Sequence, residues 1–252
     1  MDSYNIYKIL LIALFSVALL VFISLYFITA PYGRHFNRSL KVSIKARAGW
    51  FFMEIPAFLV FLFCFLLGRN ELNIITFVFL LFWLFHYFHR SFVYPFIMKG
   101  GYKKFPIVLV LFAVVFNSAN SYVNGYYLFF LSEYSLSWLR DPRFIVGVIM
   151  FMIGAAINIQ SDNILRNLRK PGETSYKIPR RGMFKYVSNP NYFGEIIEWS
   201  GWAIATWSLS GLAFALFTIA NLMPRASANH RWYFDQFPDY PKERKALIPF
   251  IY

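Results

Sequence analysis

Acidic residues and cysteine are scarce in this chain, and charge as a whole is low. Of 252 residues only 12 are Asp or Glu, 15% are charged and one is cysteine. A soluble domain carries about 25% charged residues, so the composition argues against one. With Cys64 as its one cysteine, the chain cannot form an intrachain disulfide. The apolar share of 58% instead predicts a membrane protein with several spans.

Motifs that bind phosphate or metal are also missing. The chain has no G-x-G and no G-K-[ST], which excludes the Rossmann and P-loop phosphate cradles as motifs. It has no H-E-x-x-H and no cysteine pair, which argues against a metal site. A nucleotide would therefore have to be held by side chains.

Long apolar runs predict an all-α integral membrane protein with seven transmembrane helices, because only helices satisfy an open backbone in lipid. The first run, Ile9 to Ala30, is too long for a signal-peptide core, and no A-x-A cleavage site follows it. We therefore expect a retained helix. The predicted spans are residues 6–30, 48–67, 72–94, 105–130, 143–160, 192–208 and 211–223.

Basic residues predict the orientation of these spans. The net charge is +13, and 20 of the 25 lysines and arginines fall in residues 31–47, 95–104, 161–190 and 224–252. The positive-inside rule then places the N-terminus outside and the C-terminus in the cytosol. Because the cations lie in loops between apolar runs, we expect no nucleic-acid partner.

The stretch Asn189–Trp202 carries ionisable side chains inside an apolar run. Asn191, Glu195 and Glu198 are spaced i, i+4 and i+7, so they share one face of a helix. A carboxylate at the bilayer centre costs about 3 kcal/mol even on a lenient scale. The stretch is therefore either a polar stripe packed against another helix or a ligand site at the mouth of a helix bundle. We favour the ligand site.

Other polar residues in the spans also share helix faces. A further pair, Arg225 and Tyr233, lies just past the final predicted span. These sets are Trp50 with Glu54; Tyr87 with Arg90 and Tyr94; Asn158 with Asp162 and Arg169; and Arg225 with Tyr233. Each alone could be interhelical contact, which contributes about 0.6–2 kcal/mol in membranes. Together we expect them to line one cavity open to the cytosol. Its arginines suit phosphate, and its amides and carboxylates suit ribose or amide groups.

Long blocks of the chain carry a further signal. They read A-R-A-G-W-F-F-M-E-I-P-A-F, H-Y-F-H-R-S-F-V-Y-P, G-A-A-I-N-I-Q-S-D-N-I-L-R-N-L-R-K-P-G, N-Y-F-G-E-I-I-E-W-S-G-W and Y-P-K-E-R-K-A-L-I-P-F-I-Y. From about residue 31 to the C-terminus, they closely resemble the steroid 5α-reductase family. Blocks of this length are more specific than one short motif.

The resemblance implies a reductase of the C4=C5 double bond of 3-oxo-Δ4 steroids, a 3-oxo-5α-steroid 4-dehydrogenase that uses NADPH. Glu54 and Tyr87 are implied as the catalytic residues that hydrogen-bond the 3-oxo group. The implied cofactor-binding residues are Trp50, Arg90, Tyr94, Lys99, Asn158, Asp162, Arg169, Asn191, Glu195, Arg225 and Tyr233. We expect a single domain in which residues 1–130 mainly serve the substrate and residues 131–252 mainly serve the cofactor.

The chemistry of Glu54 and Tyr87 agrees with that implication. Hydride addition to an enone develops negative charge on the carbonyl oxygen, and two O–H donors aimed at it would form an oxyanion hole. Glu54 must be protonated to donate, and desolvation in an apolar span favours the neutral acid. A pocket inside the bilayer would also keep water out and admit an apolar substrate from the lipid.

Two positions depart from the usual pattern of the family. Asn229-His230 stands where the family often has His-His, so a phosphate contact is weakened or supplied differently. Gly101 stands where some members carry a second basic residue, which bears on the choice of NADPH over NADH.

Three alternative functions stay open on the sequence. One is reduction of another lipid double bond, in a polyprenol or an enoyl thioester, although thioester relatives usually carry an extra N-terminal soluble domain. Another is an isoprenylcysteine-type methyltransferase, but those enzymes tend to show R-H-P-x-Y where residues 188–192 read S-N-P-N-Y. The third is a non-enzymatic lipid-binding protein. We expect a lipid substrate and a membrane location: endoplasmic reticulum in a eukaryote, inner membrane in a bacterium.

Overall fold

Helices make up most of the computed structural model, which describes residues 2–31, 33–35, 42–68, 73–169, 173 and 175–252. The α-helices are α1 (Ser3–Phe27), α2 (Ala46–Leu67), α3 (Ile74–Phe88), α4 (Tyr94–Ile97), α5 (Ile107–Tyr126), α6 (Pro142–Asn167), α7 (Pro190–Thr206) and α8 (Leu209–Gln236). π-helical turns at His89–Val93 and Tyr127–Leu131 follow α3 and α5. Short 3-10 turns occupy Gly33–His35, Leu136–Arg140 and Gly182–Lys185.

The predicted helical fold is confirmed, and two short strands that the sequence does not predict are added to it. β1 (Ser43–Lys45) and β2 (Lys104–Pro106) pair antiparallel, with Ser43 opposite Pro106 and Lys45 opposite Lys104. The strands immediately precede α2 and α5 and therefore tie the starts of these two helices together.

Six helical segments among the described residues are long and apolar enough to cross a membrane. They are Ser3–Phe27, Ala46–Leu67, Ile74–Ile97, Ile107–Leu131, Pro142–Asn167 and Leu209–Gln236. They correspond to six of the predicted spans. The remaining predicted span, residues 192–208, corresponds to α7, whose 17 residues fall short of the roughly 20 that a span usually needs. Seven spans and the orientation of the termini stay predictions.

Large apolar side chains cover the outward faces of several helices. Leu19 and Leu20 of α1, Phe63 of α2 and Phe112 of α5 are each more than 60% exposed. Apolar surface of this extent is costly in water and is suited to contact with lipid chains. The exposure pattern therefore agrees with a multi-pass membrane protein.

The C-terminal helix is longer than the sequence predicts. α8 passes through Pro224 and ends at Gln236, whereas the last predicted span ends at residue 223. A proline has no backbone N–H and so removes one hydrogen bond from a helix. A membrane helix can remain continuous when its other backbone hydrogen bonds are kept. Arg225 and Tyr233, expected past the last span, lie on α8. Parts of the predicted loops 31–47 and 161–190, and residue 72, lie outside the described residues.

Side chains at two helix starts explain where those helices begin. Asn73 caps α3, because its Oδ1 accepts from the backbone N–H groups of Ile75 and Thr76 at 3.0 Å each. Asp141 caps α6 by accepting from the backbone N–H of Arg143 at 2.9 Å. The Arg143 guanidinium also donates to both Asp141 oxygens and holds the pKa of that carboxyl at about 2, below its usual range.

The chain divides into two compact units. The first unit consists of Met1–Leu14, Ala30–Ile145 and Ser208–Ser210, and the second of Phe15–Thr29, Val146–Trp207 and Gly211–Tyr252. The predicted assignment of residues 1–130 to substrate and 131–252 to cofactor stays a prediction.

The first unit is built on α2, which packs against both α3 and α5. Phe61 of α2 stacks on Trp83 of α3 with ring centroids 4.4 Å apart, and neither ring is exposed. The Trp83 indole N–H donates to the carbonyl of Ala57 at 3.0 Å. Since a buried indole needs an acceptor, this bond fixes α3 against α2.

Glycines let α6 and α7 approach backbone to backbone in the second unit. A Cβ on Gly154 would lie 2.3 Å from the Glu198 nitrogen, and one on Gly147 would lie 2.4 Å from the Ala205 nitrogen. A Cβ on Gly194 or Gly201 would meet the α6 backbone in the same way, at 2.6 and 2.5 Å. Small residues at such crossings are how membrane helices gain close contact without a hydrophobic driving force.

We predict that Gly154→Ala lowers the thermal unfolding temperature of the purified protein in detergent. The added methyl group collides with backbone, which cannot rotate away, and overpacking of this kind costs about 1–3 kcal/mol. Gly100→Ala is the matched control, because its Cβ would meet only the Lys103 side chain at 3.8 Å. An equal unfolding temperature for both variants would contradict the close crossing.

Candidate active site

Glu54 lies on α2, half-buried, with a polar partner from another helix. The side-chain amide of Asn117 on α5 donates to Glu54 Oε2 at 3.3 Å and to the carbonyl of Met53 at 2.6 Å. Asn117 is 8% exposed. A carboxyl group in an apolar helix pair is thus hydrogen-bonded, as a buried polar group requires.

Tyr87 lies one helix away, in the last turn of α3. It is 3% exposed and packs against the rings of Trp83 and His86, with centroids 5.1 and 5.0 Å away. Because α2 packs against α3, Tyr87 and Glu54 belong to adjacent helices of the first unit. This places two potential O–H donors on neighbouring elements.

A cation–aromatic cluster follows Tyr87 in the chain. The guanidinium carbon of Arg90 lies 5.1 Å from the Trp50 ring centroid and 5.3 Å from that of Tyr94. The two rings meet edge to face at 5.2 Å. Arg90 sits in the π-helical turn His89–Val93, a rare conformation that is frequent at functional sites. The structure thus brings together three of the predicted cofactor residues.

Lys99 lies in the turn after α4, and its side chain is exposed. Nearby Gly101 is buried against Arg47, whose backbone N–H donates to the Gly101 carbonyl at 2.9 Å. A Cβ on Gly101 would lie 3.2 Å from the Cβ of Arg47. A larger residue at position 101 would therefore require Arg47 to move.

In the second unit, amides and carboxyl groups link α6 to α7. The Asn158 amide donates to the Asn191 carbonyl at 2.9 Å and to Glu195 Oε2 at 3.3 Å. The Asn191 amide in turn donates to Asp162 Oδ1 at 3.1 Å. Asn158 is 3% exposed, whereas the other three are half-buried. Four predicted cofactor residues thus form one network with carboxyl oxygens directed at amide donors.

Glu198, on the same α7 face by spacing, is 1% exposed. Its backbone passes beside Gly154 at the helix crossing. We therefore place Glu198 in the packed interior of the second unit and leave it out of the ligand site.

Arginines of the second unit are held by aromatic side chains. Arg225 Nη2 donates to the Tyr192 hydroxyl at 2.9 Å, and its guanidinium carbon lies 5.1 Å from that ring. Arg169, just beyond α6, lies 5.3 Å from the Tyr176 ring. Aromatic faces support a guanidinium through cation–π attraction while its remaining N–H donors keep their fixed fork geometry.

Tyr233 on α8 is 2% exposed and stacks on Tyr240 at 5.0 Å. The Tyr240 hydroxyl is hydrogen-bonded to Ser188 at 2.7 Å, and Ser188 is also bonded to His230. This places Tyr233 in a polar and aromatic cluster at the start of α7.

Asn229, where the family often has histidine, contacts another amide. Its Nδ2 donates to Asn189 Oδ1 at 2.9 Å, and Asn189 Nδ2 donates to the carbonyls of Ala226 and Ala246 at 3.1 and 3.0 Å. Asn189 therefore joins the start of α7 to α8 and to the C-terminal segment. Position 229 therefore carries an amide that is hydrogen-bonded within the protein, where the family often has a basic histidine.

Sequence reasoning missed two partners of the predicted residues. Tyr192, which holds Arg225, lies next to Asn191 but was not proposed. Asn117, which donates to Glu54, belongs to a set of buried polar residues on α5. That set is Asn117, Asn120, Ser121 and Asn124, spaced i, i+3, i+4 and i+7. The spacing was visible in the sequence and could have pointed to a polar face of α5.

The two groups of residues differ in what they can do chemically. In the first unit, an acid and a phenol on adjacent helices can donate hydrogen bonds to a carbonyl oxygen. In the second, guanidinium groups can bind phosphate, and amides and carboxyl groups can bind hydroxyl groups. With the apolar helices, these features define a helical membrane protein that carries two groups of clustered polar side chains. The expected common cavity stays a prediction.

Comparison with known proteins agrees with that description. The profile of the family described as 3-oxo-5-alpha-steroid 4-dehydrogenase matches residues 103–252. Human 3-oxo-5-alpha-steroid 4-dehydrogenase 2 is 49% identical over 228 residues, covering 88% of this chain and 87% of the relative. The Macaca fascicularis type 1 protein is 46% identical over 226 residues, covering 88% and 84%. The Sus scrofa type 2 protein is 46% identical over 242 residues, covering 94% of both.

The chain therefore belongs to the 3-oxo-5-alpha-steroid 4-dehydrogenase family. This confirms the family that the sequence blocks predict, and with it a multi-pass membrane oxidoreductase.

Proposed function

We propose that this protein reduces the C4=C5 double bond of 3-oxo-Δ4 steroids to give 5α-steroids, with NADPH as the reductant. The observation that carries the proposal is the placement of Glu54 and Tyr87 on packed neighbouring helices, in a chain of this family. An acid and a phenol on adjacent apolar helices suit an oxygen on which charge develops.

Glu54 and Tyr87 would each donate a hydrogen bond to the 3-oxo group. Electron density moves onto that oxygen when a hydride adds to C5, and a proton then adds to C4 to complete the reduction. Both donors stabilise the enolate oxygen more than the ketone, which is the condition for a faster reaction. Glu54 acts here as a neutral acid, because a carboxylate has no proton to donate.

NADPH fits the donors that the chain offers. Arg90, Arg169 and Arg225 suit its phosphates, and the amides and carboxyl groups around Asn158 suit its ribose hydroxyls and amide. Trp50 and Glu195 are proposed to lie by the nicotinamide, with Lys99 towards the adenosine end. Tyr94, Asp162, Asn191 and Tyr233 complete the proposed set. When bound, NADPH supplies the hydride and is oxidised to NADP⁺.

The surroundings of Glu54 and Tyr87 favour this reaction for a second reason. The side chains of α2 and α3 are largely apolar and would exclude water within the bilayer, where donors stabilise charge more strongly than they do in water. An apolar steroid would reach such a site from the bilayer. The membrane is thus proposed as both the location and the source of the substrate.

The cofactor proposal predicts that Arg169→Ala weakens NADPH binding. Loss of a charge-assisted phosphate contact costs about 1.5–3 kcal/mol, so the Kd should rise by about 10- to 150-fold in a titration of purified protein without steroid. Arg180→Ala is the matched control, since Arg180 pairs with Asp239 at 3.1 Å on an exposed surface. Unchanged affinity in Arg169→Ala would show that Arg169 is outside the cofactor site.

The catalytic proposal predicts that Glu54→Ala and Tyr87→Phe keep NADPH affinity while kcat falls by about 10²–10³, the usual effect of removing one oxyanion donor. Glu54→Gln should retain more activity than Glu54→Ala, because an amide still donates one hydrogen bond. Steady-state kinetics with a 3-oxo-Δ4 steroid measures both effects. Tyr122→Phe is the control, because it removes a hydroxyl that bonds to the Ser3 carbonyl, away from Glu54 and Tyr87.

Full activity in Glu54→Ala would refute the assignment. A Glu54→Gln variant as inactive as Glu54→Ala, with normal NADPH binding, would instead indicate that the carboxyl proton itself is transferred.

A further inference from the structure

Asn117 is a buried residue on α5 whose side-chain amide contacts the backbone of Met53 and the side chain of Glu54. Its Nδ2 donates to the Met53 carbonyl at 2.6 Å and to Glu54 Oε2 at 3.3 Å, and the residue is 8% exposed. A side-chain amide nitrogen has two N–H donors. Both of these donors are directed at α2.

The orientation of the Asn117 amide follows from its partner on the backbone. A peptide carbonyl can only accept a hydrogen bond, so the atom of Asn117 nearest the Met53 oxygen must be the nitrogen. The same nitrogen faces Glu54 Oε2. The oxygen Oε2 therefore faces an N–H donor of Asn117.

We propose that Asn117 is a positioning residue that keeps the proton of neutral Glu54 on Oε1 and so directs it at the substrate carbonyl. The inference rests on the proposed function of Glu54 as a neutral acid. A carboxylic acid has one O–H donor, and its second oxygen accepts. If Oε2 carried the proton, it would be a hydroxyl oxygen, which accepts a hydrogen bond from the Asn117 N–H less strongly than a carbonyl oxygen does. With the proton on Oε1, both groups are satisfied.

The same logic applies to an amide at position 54. In Glu54→Gln the side chain has an oxygen and a nitrogen in place of the two oxygens. The Asn117 donor would select the amide oxygen as its partner, which turns the NH₂ group towards the substrate. Asn117 thus accounts for an expected residual activity of Glu54→Gln, because it sets the direction in which that amide donates.

A purely structural role for Asn117 is the competing explanation, since its bond to Met53 joins α5 to α2. Such a role would affect unfolding temperature and every Glu54 variant alike. A positioning role acts through the side chain at position 54, so its effect depends on which residue is there. Double-mutant cycles measure this dependence directly.

The experiment combines Asn117→Leu with wild-type Glu54, Glu54→Gln and Glu54→Ala. Hydride transfer is followed in a single turnover by the loss of NADPH absorbance. We expect Asn117→Leu to slow turnover by about tenfold with Glu54 or Gln at position 54, since one oriented hydrogen bond is lost. In the Glu54→Ala background the same substitution should have no further effect. The NADPH Kd should stay unchanged throughout.

Asn124→Leu is the matched control. Asn124 is a 2% exposed amide on the same helix that donates to Asn120 at 3.1 Å, so its loss removes a buried amide without touching Glu54. It should change turnover by the same factor in all three backgrounds. If Asn117→Leu does not fold, Asn117→Asp replaces it. That side chain keeps the size of asparagine, cannot supply two donors and should also slow turnover.

Equal slowing by Asn117→Leu in the Glu54 and Glu54→Ala backgrounds would overturn the positioning role. An unchanged advantage of Glu54→Gln over Glu54→Ala in the Asn117→Leu background would do the same. Full activity of Glu54→Ala with Asn117 intact would be a different result, because it would overturn the proposed function of Glu54 itself.

Discussion

Polar groups that leave water must find partners inside the protein, and this constraint shapes both groups of site residues. The Glu195 carboxyl is paired with an amide from α6, and Glu54 with an amide from α5. An unpaired carboxylate at membrane depth costs several kcal/mol, so each acid needs such a donor or must stay protonated. These partners therefore determine where carboxyl groups can lie among the apolar helices.

Helix packing supplies those partners. The glycines of α6 and α7 bring the two backbones into contact, and this crossing carries Asn158 to within 2.9 Å of the Asn191 carbonyl. In the first unit, the stacking of Phe61 on Trp83 fixes α3 against α2, with Tyr87 one turn beyond Trp83. The positions of the candidate site residues thus depend on packing contacts made by residues outside the candidate site.

The sequence predicts the helices and the polar faces well, because both follow from residue spacing. The shared face of Asn191 and Glu195 is confirmed, since both side chains reach α6. The spacing did not reveal the strands before α2 and α5, which depend on pairing across about 60 residues. The last predicted span ends at residue 223, where the sequence becomes less apolar, whereas α8 continues to Gln236. Asn117 was missed because its role depends on the contact between α5 and α2.

Isotope transfer tests most directly the proposed reduction of the enone in a 3-oxo-Δ4 steroid. Purified protein is incubated with progesterone and NADPH that carries deuterium at the nicotinamide C4, with each stereoisomer in turn. Conjugate addition requires the hydride to bond to C5, so one stereoisomer should yield a 5α-reduced product with deuterium at that carbon. Reduced product that lacks deuterium at C5 with both stereoisomers, or no reduced product although NADPH binds, would contradict reduction of the enone by hydride from NADPH.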